Sequence, residues 1–267
     1  MSDNPHAARP EELRERPEPA PAASTDDVGH RARDLRGTRA DAHVAAVSDP
    51  GRGAAATQAQ VERADAARSA PDPLEGRELA LGIAHPGLRA DALADVARNA
   101  GDPRTGRDIA LHIDDPDLRA RTLADVARNA EDPRIGRDIA NTIGTDVRDA
   151  AGTTVRDRGL ADVAGTTDDP LIGRDIALHI DDPDLRARIL ADVARNAGDP
   201  LTARDIVSGI DAGVTDATGM PIRDLTLADI ANRTPDPQLA GDVANGIADD
   251  RLRTTVLAAI DDRDTGP

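Results

Sequence analysis

The sequence predicts an all-α chain: a right-handed α-solenoid of about six short antiparallel helical hairpins behind a disordered N-terminal arm. Three observations lead there. Leu-Ala-Asp-Val-Ala or a close variant recurs six times, with leading leucines at Leu93, Leu123, Leu160, Leu190, Leu227 and Leu257, spaced alternately 30 and 37 residues apart. Self-similarity at such a period marks a solenoid, in which each unit buries its apolar face only against its neighbours. The copies also exchange Leu, Ile and Val while keeping polarity, as a selected core requires. Finally, 267 residues contain no Phe, Tyr or Trp, so the core must be aliphatic.

Residues 1–24, with Pro5, Pro10, Pro17, Pro19 and Pro21 among Ala, Glu and Arg, lack apolar periodicity and read as disordered. Residues 25–47 hold one possible helix, started by Thr25 or Asp26, with Val28, Leu35, Val44 and Val47 on a thin stripe. Ser48-Asp49-Pro50-Gly51 reads as a break, and Gln58 to Ala70 as a worn repeat, polar as a terminal cap should be. The expected division is an arm over 1–57, the array over 58–262 and a tail over 263–267.

One full unit runs from Asp102 to Ala130. Asp102 suits an N-cap, and Pro103 suits the first helical position, where its missing N–H costs nothing. Thr105, Ile109, Ala110 and Ile113 then share a face at helical spacing. Asp114-Asp115-Pro116-Asp117 stops that helix and caps the next, whose stripe is Leu118, Thr122, Leu123, Val126, Ala127 and Ala130. Helices of roughly three turns are marginal alone and must pair and stack. The expected hairpins are 74–100, 104–130, 134–165, 171–197, 201–232 and 238–260. Residues 109–133 and 176–200 agree at 23 of 25 positions, so the duplicated block is two hairpins, 67 residues long.

Composition limits the function classes. All 33 basic residues are Arg, and the formal charge is −17. Residues 71–267 carry 38 acids against 23 Arg, so the array is the acidic part. That argues against a phosphate backbone or an anionic membrane surface as partner. The lack of Cys excludes disulfides, thiolate nucleophiles and cysteine-ligated metals, and the lack of aromatics removes a stacking platform for bases. No apolar run suits a signal peptide or a membrane span, which predicts a cytoplasmic protein. A GC-rich genome or a salt-rich cytoplasm would yield such a composition, and the excess of Asp over Glu favours the former.

The run Asp114-Asp115-Pro116-Asp117-Leu118-Arg119, an Ala-rich helix and then Glu131-Asp132-Pro133 resembles the short bacterial HEAT-like repeat, the type also seen in phycobilisome lyases. The resemblance covers roughly residues 72–260, although the acidic turn is shorter than the family's. It implies a scaffold, an adaptor or an enzyme subunit. Lyase activity gains no support, since no cysteine is present to carry a chromophore.

Four residue sets carry whatever chemistry there is. Arg89, Arg119, Arg156, Arg186, Arg223 and Arg253 recur in every second helix and should stack as a structural ladder on turn carbonyls and carboxylates, a role that suits a guanidinium fork. The resemblance implies partners among Asp115, Asp182 and Asp249 or a neighbouring unit's acids. The acidic turns (Asp114, Asp115, Asp117 and Asp181, Asp182, Asp184) read as caps, with Ca²⁺ binding as the alternative. Mid-helix Asp95, Asp125, Asp162, Asp192 and Asp229 should pair with Arg three or four positions away, such as Arg98, Arg121 and Arg128. His112 and His179 lack a second ligand at metal spacing, so neither a metal, a cofactor nor a catalytic residue is expected.

The fourth set is the pair of seven-residue insertions in alternate hairpins, Gly144 to Thr154 and Asp211 to Pro221. Both are Gly/Thr/Asp-rich and should project from one edge, where inserted loops of solenoids often bind. Gly144, Asp146, Arg148, Asp149, Asp211, Val214, Asp216 and Met220 are the candidate contacts. The leading expectation is a non-catalytic scaffold that binds protein partners through the solenoid face and these loops, and a partner with a basic surface suits the net charge. An accessory subunit of an enzyme complex is the alternative, and a divalent-cation-responsive protein a third reading.

Overall fold

Aspartate followed by proline starts the first helix of every hairpin. The computed structural model describes residues 50–264, which contain thirteen helices and no strand. Six short helices are α2 (Pro73–Leu81), α4 (Pro103–Ala110), α6 (Pro133–Ala140), α8 (Pro170–Ala177), α10 (Pro200–Val207) and α12 (Pro237–Ala244). Each has proline in its first turn behind a capping aspartate: Asp72, Asp102, Asp132, Asp169, Asp199 and Asp236. Each carboxylate accepts one or two of the N–H groups that a helix start leaves unpaired.

The longer helices are α1 (Pro50–Ser69), α3 (Pro86–Asn99), α5 (Pro116–Arg128), α7 (Val155–Thr166), α9 (Pro183–Asn196), α11 (Ile222–Arg233) and α13 (Asp250–Asp264). The expected turn caps hold: Asp115 accepts from Asp117 and Leu118, and Asp182 from Asp184 and Leu185. Caps vary elsewhere, with the imidazole of His85 on α3, the Thr154 hydroxyl on α7, and Pro221 preceding α11 without a side-chain bond.

Every short helix from α4 on packs against the long helices before and after it. Short helices also stack on short and long on long, giving two layers. The repeated leucine fills the space between them: Leu93, Leu123, Leu160, Leu190 and Leu227 are at most 2% exposed. Ile109, Ile139, Ile176 and Ile206 face them from the short layer, fully buried. Burial of this kind stabilises by about 1.5–3 kcal/mol per side chain. Each short helix sits close to the end of the preceding long one. A Cβ on Gly106 or Gly136 would lie 2.6 or 2.5 Å from the carbonyl oxygen of Ala97 or Ala127.

The worn first repeat is α1. Ala64 and Ala67 are buried where later units place Ala94 and Ala97. Arg63 takes the leucine position and donates to the Gly82 carbonyl (2.7 Å). The expected break at Ser48–Gly51 is corrected: Pro50 and Gly51 open α1, because proline is tolerated in a first turn. The compact unit carrying the array begins at Ala56. The proposed helix over 25–47 and residues 1–49 of the expected disordered arm lie outside the described residues, whereas residues 50–57, the end of that 1–57 arm, are corrected to the first turns of α1. At the other end α13 runs through Asp264 and takes in the start of the expected tail, with Arg263 donating to the Asn232 carbonyl (2.6 Å). No described helix is long and apolar enough to cross a membrane.

Candidate interaction surface

The two insertions are tight hairpin turns. In the first, Asp149 N–H donates to Thr153 (2.8 Å), Gly152 N–H returns to Asp149 (3.0 Å), and Val155 N–H reaches Val147 (2.9 Å). The second repeats this 67 residues later with Asp216, Met220, Gly219, Ile222 and Val214. Gly152 and Gly219 sit at φ +83 and +84, the left-handed conformation that such a corner requires and that glycine adopts without strain. One carboxylate organises each turn. Asp149 accepts from the N–H groups of Ala151 and Thr153, and Asp216 from those of Thr218 and Met220 and from the Thr218 hydroxyl.

Among the candidate contacts, Gly144, Asp146, Arg148 and Asp211 are exposed, and Asp149, Asp216 and Met220 half-buried. Val214 is 8% exposed, as Val147 is 9%. Both valines anchor their turns to the core, so Val214 is corrected from a contact residue to a structural one.

Desolvation raises the Asp149 pKa, but the Arg158 guanidinium (3.2 Å) and two backbone donors outweigh it, and the carboxyl is held below its ordinary value. Asp216 is lowered chiefly by the Thr218 hydroxyl. Here the copies diverge. Leu225 stands where Arg158 stands, so nothing crosses to Asp216. A cleft of about 520 Å³ lies beside this turn, with Ile222, Leu225, Ala217 and Ala191 as its apolar lining and Arg188, Arg195, Asp192 and Asp216 as its charged groups.

The arginines of the second helices divide into two groups. Arg89, Arg119, Arg186 and Arg253 each donate to an isoleucine carbonyl six residues earlier: Ile83 (3.4 Å), Ile113 (2.7 Å), Ile180 (2.7 Å) and Ile247 (2.8 Å). Arg89 also reaches Asp114 of the next unit (2.8 Å). Arg156 spans two units, bonding Asn141 (3.0 Å), the His179 carbonyl (3.2 Å) and Asp181 (2.7 Å). Arg223 departs from the expected ladder: its Nε is buried with no hydrogen-bond partner. The caps Asp115, Asp182 and Asp249 accept from backbone N–H groups at Oδ1.

Sequence reasoning missed two buried acids. Asp157 and Asp224 are 1% and 2% exposed. Asp157 accepts from the N–H groups of Asp181 and Asp182 (both 3.1 Å), and Asp224 from those of Ala248 (3.2 Å) and Asp249 (2.9 Å). Each 37-residue hairpin thereby clamps the turn of the 30-residue hairpin that follows. The available signal was an Arg-Asp doublet in both long units where three of the short units have Arg-Ala.

The mid-helix acids pair within and between units. Asp65, Arg68, Asp95, Arg98, Asp125, Arg128 and Asp162 alternate in one chain of contacts, at distances from 2.7 to 3.6 Å. Asp125 takes Arg128 and Arg98, and Arg121 is no part of this chain. Gly165 interrupts the series, which resumes as Asp192, Arg195, Asp229 and Arg233. His112 and His179 are exposed. Among the described residues no three His, Asp or Glu side chains are grouped to hold a metal ion.

Comparison with protein-family models and with curated proteins gives no match for this chain.

Proposed function

We propose that this chain is a non-catalytic, cytoplasmic scaffold of the HEAT-like type, which binds protein partners through the inserted turns and the adjoining long-helix face. The cleft beside the second insertion carries this reading. A turn fixed by Asp216 and Val214 holds an apolar floor open, and an exposed arginine, Arg188, stands on its wall. Concave, mostly apolar places with a few convergent polar groups are where proteins hold ligands. The array's negative charge suits a partner with a basic rim around the inserted group and disfavours nucleic acid.

Leu225→Arg is the test, because it would reproduce at Asp216 the closure that Arg158 makes at Asp149. Affinity capture from native lysate should recover a partner with the wild type and lose it with the variant, and raised salt should weaken capture. Retention by the variant would move the interface to the helical face. A gel shift of DNA or RNA at moderate salt would overturn the exclusion of nucleic acid.

A further inference from the structure

The two helix layers differ on their outer sides. Among the described residues six large apolar side chains stand 38–50% exposed: Leu74, Leu81, Leu111, Leu171, Leu178 and Leu201. All six lie in a short helix or directly after one, and no long helix exposes any. A single exposed leucine means little, whereas apolar side chains gathered in one patch mark an interaction site.

Three of them gather on α8 and α10. Leu171 and Leu178 are seven residues apart, on one stripe of α8 about 10 Å long. Leu201 takes the Leu171 position on α10, the next helix in the layer. Leu178 leans over the end of α10, since a Cβ on Gly209 would lie 3.5 Å from its Cδ2. One turn on from Leu171 and Leu201 stand Asp175 and Asp205, both exposed. Arg174 engages one oxygen of each, Oδ1 of Asp175 and Oδ2 of Asp205, and leaves the other to a further donor.

The charge around the patch says what covers it. Residues 168–184 carry six Asp and one Arg, and residues 199–211 three Asp and one Arg. A second copy laid face to face would set these carboxylates together, and like charges in contact oppose binding. A phosphate backbone or an anionic membrane is disfavoured in the same way. The leucines call for apolar groups on the partner, and the acids for basic ones.

We propose that the α8–α10 face docks a basic amphipathic helix of another protein, with apolar side chains at i and i+7 and Arg or Lys between them. In a helix those positions stand about 10.5 Å apart on one side, which is the spacing of Leu171 and Leu178. Laid alongside α8, such a segment sets its anchors on the leucines and its cations on Asp175 and Asp205. The face belongs to the short-helix layer, whereas the cleft is lined by α9, α11 and the second insertion. The inference is therefore independent of the reading above.

The test is an NMR titration of the isotope-labelled full chain with an acetylated and amidated alanine-based helical peptide, carrying leucine at i and i+7 and arginine at i+3 and i+4. Amide resonances of α8 and α10 should shift and saturate. The double substitution Leu171→Gln, Leu178→Gln should weaken binding about tenfold or more, as loss of a central apolar anchor does. Its circular dichroism and melting should stay those of the wild type, because both side chains are exposed. Asp175→Asn with Asp205→Asn should weaken binding as well, and so should raised salt. No shifts at all, shifts confined to the long helices, or undiminished binding by the leucine variant would overturn the assignment. So would equal binding of a peptide with glutamate in place of arginine. Loss of binding in Leu225→Arg would move the peptide to the cleft. A wild-type dimer in sedimentation that the leucine variant makes monomeric would give the face to a second copy.

Discussion

Ala90, Ala120 and Ala187 occupy one position in three of the 30-residue units, and the two 37-residue units place Asp157 and Asp224 there. A fully buried carboxylate is costly unless its oxygens are satisfied, and each of these takes two backbone donors from the next turn. Asp157→Ala would strip the Asp181 and Asp182 N–H groups of their acceptor. It should lower unfolding stability by about 1–3 kcal/mol in urea denaturation. Asp138→Ala, which removes an exposed pair with Arg137, should cost under about 1 kcal/mol. Equal losses from the two would mean that the Asp157 bonds carry no net stability.

Individual residues also show what the sequence makes legible. The Asp-Pro caps could be read because capping is local, a matter of three consecutive residues. Asp157 could not, because its partners lie 24 and 25 positions away, and a polar residue between Arg156 and Arg158 reads as solvated. For the same reason Arg98 reads as half of a local pair with Asp95, although it also reaches Asp125 in the next unit.

At the scale of elements, the hairpins were legible almost in full, and the insertions only in their position. Their Gly, Thr and Asp content suggests open loops, but an aspartate, a glycine at positive φ and a buried valine make each a fixed turn. Val147 and Val214 recur 67 residues apart as the signal of that anchoring.

Four carboxyls, Asp102, Asp149, Asp199 and Asp216, are held below the ordinary value of 3.8. Such groups add stability that is complete above the unfolded pKa and is lost as pH falls toward the folded one. The thermal midpoint should therefore drop as pH is lowered from about 5 toward 3. Thr202→Val removes the hydroxyl that does most to lower Asp199, and should make that drop shallower. A midpoint that is flat over this range would contradict the assigned bonds.

One element also points to a gain in stability. Gly165 lies in α7 where Arg98, Arg128 and Arg195 lie in other long helices, and a Cβ there meets nothing within 4 Å. Gly165→Arg replaces the poorest ordinary helix former by a good one and offers a rung between Asp162 and Asp192. Stability should rise by about 0.5–1 kcal/mol, most of it from helix propensity and little from the exposed pairs. The same substitution in high salt should keep most of the gain. A gain abolished by salt would reverse that apportionment.

The molecule as a whole is governed by its 67-residue block. In a stacked array each hairpin contacts only its neighbours, so total stability is close to a sum of unit and interface contributions. The near-identity of 109–133 and 176–200 makes that additivity testable without a foreign junction. Deleting residues 134–200 joins Pro133 to Leu201, so that α5 meets α10 as α9 does in the intact chain. The donor–acceptor pairs at the new interface are preserved, because Asp125 and Arg128 stand in for Asp192 and Arg195, and Asp229 remains to receive Arg128. Thr122 replaces Ile189 and Glu131 replaces Gly198, the two differences between the copies. The shortened chain should keep its helicity per residue and unfold in one transition at a lower temperature, having lost one 37-residue and one 30-residue hairpin with the Asp157 clamp between them. A chain without cooperative unfolding would show that stability is held by contacts beyond nearest neighbours, and that the block is a unit of sequence but not of folding.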